Sequence, residues 1–151
     1  MSLWSDDSAV PIAGQPPQVD QPADKPVDDV VELRLPADSA YLSVLRTATA
    51  GLAARLDFTL DEIEDLRIAV DEACAMLLPD AVAGASLVCH FAMSPESLAV
   101  TVSVPTRGGR LPRRNTFAWT VLTSWAGEVD AQAAPDGTVS VQLTKRREGR
   151  A

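Results

Sequence analysis

Thr59-Leu-Asp-Glu-Ile-Glu-Asp-Leu-Arg-Ile-Ala-Val-Asp-Glu-Ala-Cys-Ala-Met-Leu-Leu78 carries the strongest helical signal in the chain. Thr59 and Glu62 form a capping box, in which each side chain accepts a hydrogen bond from a free backbone N–H at a helix start. Apolar residues then recur at helical spacing and predict one buried stripe: Ile63, Leu66, Val70, Cys74 and Leu77. Pro79 ends the helix because it cannot donate to the hydrogen-bond ladder. We expect a central helix over residues 60–78, with Glu72 pointing away from the stripe.

Length and composition indicate one globular domain. The chain has 151 residues, of which 46% are hydrophobic, and this is enough to form a core. The net charge of −8 argues against direct binding of nucleic acid or of an anionic membrane, since both attract positive surfaces. No apolar run is long enough to span a bilayer, and residues 1–7 lack the features of a signal peptide, so we expect a cytoplasmic protein.

The two cysteines, Cys74 and Cys89, have neither CxxC spacing nor a histidine close in sequence. Buried free thiols are the favoured interpretation over a redox or metal role, and we predict no metal site. The single histidine, His90, lies in a predicted strand with no base partner near it in sequence. It is interpreted as a surface or hydrogen-bonded histidine and not as a catalytic one.

Three segments divide the chain. Residues 1–29 hold five prolines and one lysine against six aspartates, a formal charge of −5, and we predict a disordered acidic arm. Residues 30–147 form the folded domain and residues 148–151 a tail. Four basic residues near the end are interpreted as solvated surface: Lys145, Arg146, Arg147 and Arg150.

The domain alternates strands and helices in the order strand, helix, helix, hairpin, loop, helix, hairpin. Strands are predicted over 31–35, 87–93, 98–104, 128–133 and 139–144 from apolar alternation and turn residues. A first helix, capped by Asp38 or Ser39, has its buried stripe at Leu42, Leu45, Thr49, Leu52 and Leu56. A third helix, capped by Asn115 or Thr116, turns Phe117, Val121, Leu122 and Trp125 inward.

The fold class that follows is α+β. We expect a two-layer sandwich, in which helices cover one face of a mixed, mostly antiparallel sheet. The loop over residues 105–115 is rich in glycine and arginine and interrupts the acidic trend. Its arginines, Arg107, Arg110, Arg113 and Arg114, would either contact phosphates or lie in a mobile solvated loop. The second interpretation is favoured.

Three short motifs carry a resemblance to a known family. They are Leu56-Asp57-x-Thr59-x-Asp61-Glu62-Ile63, Ile68-Ala69-Val70-Asp71-Glu72-Ala73-Cys74, and the ending Gly137-Thr138-x-x-x-Gln142-Leu143-Thr144-Lys145. Together with the order of elements, they resemble the anti-sigma factors of the RsbW and SpoIIAB type, and the UsfX-like branch is most similar. Those proteins are serine protein kinases of the GHKL superfamily. The resemblance covers residues 31–147 and implies the histidine kinase-like ATPase fold.

The resemblance also assigns nucleotide positions, and several carry other residues here. The family glutamate that acts as base corresponds to Glu72, whereas the asparagine that holds magnesium corresponds to Met76. A thioether is a poor ligand for an ion that demands oxygen. The aspartate that reads adenine corresponds to Val104, followed by Thr106 and Gly108 at two glycine positions. The last glycine-rich motif corresponds to residues 116–118, which contain no glycine.

The partner position of the family is retained. Counting back from Leu56-Asp57 places Arg46 where the family uses an arginine to contact the sigma factor. A guanidinium suits such a contact because its planar fork binds a carboxylate at two points. The competing interpretation is an ordinary surface arginine.

These observations lead to one expected function and two alternatives. We expect a cytoplasmic anti-sigma factor, a pseudokinase of a stress-response partner switch. It would sequester an alternative sigma factor without ATP hydrolysis and be released by a STAS-domain anti-anti-sigma factor. We expect no cofactor. One alternative is an active serine protein kinase that uses ATP, magnesium and Glu72 to phosphorylate that antagonist. The other is an adaptor that binds only the antagonist. A homodimer is suggested by the resemblance alone.

Overall fold

The structure, a computed structural model, describes residues 29–148. The predicted arm and the last three residues of the tail lie outside this range, apart from Asp29. The helices are α1 (Leu42–Arg55), α2 (Leu60–Leu77) and α3 (Phe117–Ala126). The strands are β1 (Asp29–Pro36), β2 (Ser86–Ser94), β3 (Ser97–Pro105), β4 (Glu128–Ala133) and β5 (Thr138–Arg146).

The five strands form one sheet in the order β1-β2-β3-β5-β4, and each neighbouring pair is antiparallel. The two edges are therefore β1 and β4. The α1–α2 pair leads the chain away from the end of β1 and back to it. β2 therefore starts beside Pro36 and runs antiparallel to β1. The predicted α+β class with helices on one face is confirmed, and the sheet within residues 29–148 is antiparallel throughout.

The core lies between the sheet and the helices. Alternate residues of the three central strands are buried, as the period of two predicts. They are Leu87, Cys89, Phe91 and Met93 on β2, Leu98, Val100, Val102 and Val104 on β3, and Val139, Val141 and Leu143 on β5. Helix α2 buries a wider band than the predicted stripe, with Ala69 and Ala73 added and Ile63 only half-buried. This band is wide because α2 contacts α1, α3 and the sheet.

The start of α2 has the predicted capping box. Glu62 donates its N–H to Thr59 Oγ1 at 3.1 Å, and Glu62 Oε1 accepts the Thr59 N–H at 2.7 Å. The second carboxylate oxygen of Glu62 accepts the N–H of Glu148 at 2.6 Å, so this buried acid also holds the end of the described chain. The helix ends at Leu77, and Pro79 lies in the 3-10 turn Leu78–Asp80 that follows.

Helix α3 corrects one prediction about the core. Phe117 was expected to face inward, but its side chain is 83% exposed, and Trp119 is buried in its place. Thr116 caps the helix by accepting the Trp119 N–H at 3.1 Å, and the buried positions are then Trp119, Leu122 and Ala126. Phe117 precedes Trp119 by two residues, which places it about 200° around the helix and away from the sheet.

Two basic residues near the end of the chain are not simply solvated. Lys145 is only 13% exposed at its side chain, where its Nζ lies 3.5 Å from Asp65 Oδ2 and donates to the carbonyl of Trp125 at 3.3 Å. Arg147 donates to the carbonyl of Leu56 at 3.4 Å. These contacts attach the last strand to the helical layer, so the prediction of a solvated basic tail is wrong at both positions.

His90 has a carboxylate partner that its sequence neighbours do not reveal. Glu32 on β1 pairs directly with His90 on β2, and Glu32 Oε1 lies 2.8 Å from His90 Nε2. This hydrogen bond lowers the pKa of the Glu32 carboxyl, with a smaller contribution from Arg34. Both side chains lie on the solvent face of the sheet, and the neighbouring hydroxyl in this row, that of Thr101, accepts a hydrogen bond from Gln142 at 3.1 Å. The Glu32–His90 pair is a cross-strand surface contact.

Both cysteines are free and buried, as predicted. Burial raises the pKa of Cys74 to about 12, and the nearby Cys89 and Asp71 add to the effect. Burial likewise raises the pKa of Cys89 to about 12. Neither thiol is therefore suited to nucleophilic chemistry at neutral pH. Among the helices of residues 29–148, none combines the length and the apolar character needed to cross a membrane.

Candidate functional site

The predicted nucleotide residues do not converge on one cavity. A cleft of about 320 Å³ opens between the end of α2 and the loop over residues 106–112. Its lining residues are Met76, Leu77, Pro79, Asp80, Thr106, Arg110, Leu111 and Pro112. Of the predicted nucleotide positions, Met76 and Thr106 line this cleft. Glu72 lies half-buried one turn earlier on α2, Val104 is fully buried in the core, and Gly108 is exposed on the loop.

The arginine-rich loop is hydrogen-bonded to the turn that follows α2. Arg107 donates its N–H to the carbonyl of Asp80 at 2.9 Å and its Nη2 to the carbonyl of Pro79 at 3.0 Å. The N–H of Gly108 donates to Asp80 Oδ2 at 3.2 Å, while Arg107 Nε lies 3.6 Å from the other carboxylate oxygen. Arg107 is exposed, as the solvated interpretation predicts, but its donors are also anchored to the turn after α2. The carboxylate of Asp80, from the same chain, lies where the donors of Arg107 and Gly108 point.

Thr106 attaches the other side of the same loop. Its side chain is buried, its Oγ1 donates to the carbonyl of Gly137 at 2.7 Å, and it accepts the N–H of Gly109 at 2.8 Å. Gly137 has a φ of +93°, and a Cβ there would lie 3.1 Å from the carbonyl oxygen of Thr106. Only glycine fits this position without strain. The loop is thus held between α2 and the β4–β5 turn.

The positions that the sequence resemblance assigns to a magnesium nucleotide carry other side chains. Magnesium requires oxygen ligands, and Met76, where the resemblance expects an amide oxygen, offers a thioether. Val104 offers no acceptor for an adenine amino group, and its side chain is sealed in the core. Among residues 29–148, no group of three histidine, cysteine or acidic side chains lies close enough to hold a metal ion.

The four loop arginines differ in their contacts. Arg107 is paired with Asp80, and Arg114 donates to Asp130 at 3.0 Å while lying 4.8 Å above the ring of Trp119. The Arg114 hydrogen bond is the main cause that lowers the pKa of Asp130. Arg110 and Arg113 form no salt bridge with any residue in the range 29–148. Two cationic side chains on this loop therefore remain available to an anion.

Arg46 lies on the flank of α1 that faces α2. Its Nε donates to both carboxylate oxygens of Asp71 at 2.9 Å, and the two side chains are 36% and 41% exposed. The two terminal nitrogens of the guanidinium make no hydrogen bond to other residues of the described chain. Asp71 therefore binds only the Nε of Arg46. The two terminal nitrogens, which we call the outer fork, remain accessible. Such a half-exposed ion pair contributes about 0–1 kcal/mol to stability.

Arg46 borders a helix face made of small side chains. We call it the small-residue face of α1, and its members are Ser43, Thr47, Ala50, Gly51 and Ala54. Gly51 lies in the helix interior, where glycine costs about 0.5–1 kcal/mol relative to alanine. A Cβ at this position would meet no atom of residues 29–148 within 4 Å, so packing in this part of the chain does not require the glycine. The sequence already contains this signal, a glycine inside a helical segment, but Asp71 as the partner of Arg46 could not be read from it.

Among solved structures, the crystal structure of the RsbU and RsbW domains of Rv1364c from Mycobacterium tuberculosis is similar to this chain. The match has a TM-score of 0.64 at 14% sequence identity and covers 82% of this chain. It covers 34% of the other chain, so the present chain spans about a third of that protein. No family model and no curated protein matches the sequence. The chain therefore has the RsbW-like fold, and the fold implied by the sequence motifs is confirmed.

Proposed function

We propose that this chain is a cytoplasmic anti-sigma factor, which sequesters an alternative sigma factor by direct contact and is released by a STAS-type anti-anti-sigma factor. The fold alone does not specify this function, because one fold hosts many functions. The observation that carries the proposal is the presentation of Arg46 beside the small-residue face of α1. A carboxylate of the partner would bind the outer fork of Arg46, while the small side chains admit close approach of the partner backbone.

The helix glycine supports this role of α1. Gly51 destabilises α1, and packing among residues 29–148 does not require it. A partner that lies directly against the helix would provide a reason for keeping it. The Arg46–Asp71 ion pair contributes little to the free energy of folding, which also suits a role in binding. Opening the pair, or sharing Arg46 with a partner, loses less free energy than an interface arginine contributes to binding.

Binding would not depend on nucleotide hydrolysis. The side chain of Met76 replaces the expected magnesium ligand, and Val104 replaces the expected adenine acceptor. A homodimer remains a proposal that rests on the family resemblance. The kinase alternative would need Glu72 to reach a nucleotide, but Glu72 does not line the cleft that Met76 lines.

The deciding experiment is a tagged pull-down from cells of the source organism, followed by reconstitution with the purified partner. We expect recovery of a sigma factor, release on addition of a STAS-domain protein, and the same affinity with and without ATP and magnesium. Calorimetry with ATP and magnesium should show no heat, and no phosphate should reach the antagonist. Recovery of the antagonist without any sigma factor would contradict the proposal and favour an adaptor. A phosphorylated antagonist would favour the kinase.

Gly51 gives a prediction that separates stability from binding. Gly51→Ala is expected to raise the free energy of unfolding by about 0.5–1 kcal/mol, because alanine restricts the unfolded chain and favours the helix. Gly51→Gln should stabilise the helix as well, but its long side chain should weaken partner binding at least about tenfold, or 1.4 kcal/mol. Urea denaturation and binding titrations measure the two quantities. Unchanged binding of the glutamine variant would show that this face is not the interface.

A further inference from the structure

The cleft beside the arginine-rich loop combines an apolar lining with unpaired positive charge. Met76, Leu77 and Pro112 line it together with Leu111, whose side chain is 49% exposed. Arg110 also lines the cleft, and Arg113 follows its last lining residue along the chain. Apolar surface with adjacent arginines suits a short peptide that carries a large apolar residue next to carboxylates.

The chain itself contains such a peptide outside the described residues. Leu3 and Trp4 are followed closely by Asp6 and Asp7. Over residues 1–28, five aspartates face a single lysine, which makes this segment opposite in charge to the loop. Tryptophan is the side chain with the largest apolar surface, and interface pockets often bury it as an anchor.

The length of the intervening chain is sufficient. β1 begins at Asp29, which shares a row of the sheet with Met93, Leu98 and Lys145, whereas the loop follows Pro105 at the opposite end. Nine residues of strand separate the two ends, or roughly 30 Å. The 22 residues from Asp7 to Asp29 reach about 25 Å on average as a flexible chain and about 75 Å when extended. The segment can therefore reach the cleft without strain.

We infer that residues Leu3–Asp7 dock into this cleft of the same chain, with Trp4 against the apolar lining and Asp6 and Asp7 on Arg110 and Arg113. This inference does not depend on the proposed function. Tethering strengthens the contact, because a linker of this length holds the peptide at an effective concentration in the millimolar range. The other basic region, near Lys145, is less suitable because Lys145 is paired with Asp65, and the adjacent cavity is lined by Asp61, Glu62, Asp65 and Glu148.

The test uses the full chain with a spin label on a single introduced cysteine, Ser8→Cys. Cys74 and Cys89 are buried and their raised pKa keeps them protonated, so the label should react only at position 8. In a nitrogen-15 spectrum, the amide signals of Gly108 and Gly109 are expected to lose most of their intensity relative to the reduced label. The signals of Gly51 and Gly127 should keep theirs.

Three changes should abolish this loss of intensity. Salt at about 1 M reduces the screening length to roughly 3 Å and weakens the contacts to Arg110 and Arg113. Trp4→Ala removes the anchor and changes no side chain among residues 29–148, and unchanged Gly51 and Gly127 shifts would show that the variant is folded. The double variant Arg110→Glu, Arg113→Glu should have the same effect, and unchanged Gly51 and Gly127 shifts would show that it is folded.

Three results would overturn the inference. Gly108 and Gly109 could keep their intensity at low salt, or Gly127 could lose intensity, which would place the segment near Lys145. The third result concerns a mixture of two chains, one with the spin label but no nitrogen-15 and the other with nitrogen-15 but no spin label. A loss of the Gly108 and Gly109 signals in this mixture would also overturn the inference. That result would show docking between two copies.

Discussion

Val104→Asp is expected to lower the free energy of unfolding by about 3–5 kcal/mol, as measured by urea denaturation. The substitution introduces the residue that the family resemblance assigns to adenine recognition. In this chain, however, the side chain of residue 104 is fully buried on the inner face of β3, opposite Val139 of β5. An aspartate there would be an isolated charge in the core, without a cation to pair with.

The control variant is Val104→Ala, which removes two methyl groups and should cost about 2 kcal/mol through lost burial. The difference in the free energy of unfolding between the aspartate and alanine variants then measures the effect of the buried charge. Burial raises the pKa of an aspartate in the native state, so the extra destabilisation should be fully present above that raised pKa. It should shrink as the pH falls from the raised pKa to the unfolded value of about 4, below which both states are protonated. A Val104→Asp variant as stable as Val104→Ala, or one that binds ATP, would show that this position borders an open nucleotide site.

The order of elements could be predicted because each rests on local chemistry. The capping box of Thr59 and Glu62 sets the start of α2, and the alternation around Phe91 and Val100 sets the inner face of the central hairpin. These signals span few residues and require no knowledge of the partner element. The first helix likewise begins after a 3-10 turn that Asp38 caps, one of the two predicted positions.

The contacts that define the candidate sites connect residues far apart in sequence, and no local pattern reveals them. Arg46 meets Asp71 across 25 positions, and Glu62 accepts the N–H of Glu148 across 86. The loop arginines illustrate the same limit, since the carboxylate that holds Arg107 belongs to the turn after α2. Phe117 shows another limit, because a short helix with apolar residues on several sides does not indicate which of them faces the sheet.

Arg46→Ala is expected to weaken binding of the sigma factor recovered in the pull-down by about 30-fold or more, or about 2 kcal/mol. The outer fork of Arg46 is accessible beside the small-residue face, and alanine would leave the partner carboxylate without a donor. The free energy of unfolding should change by no more than about 1 kcal/mol, because the ion pair with Asp71 is half-exposed. A binding titration and urea denaturation of the same variant measure both effects.

Two further variants distinguish fork geometry from charge. Arg46→Lys keeps the charge but loses the planar fork, so its affinity should lie between those of the wild type and the alanine variant. Arg34→Ala removes an exposed arginine from β1, on the solvent face of the sheet and away from α1, and should leave binding unchanged. Equal losses for Arg46→Ala and Arg34→Ala would mean that the partner responds to the overall charge of the domain. An unchanged affinity for Arg46→Ala would mean that the ion pair with Asp71 serves only to join α1 to α2.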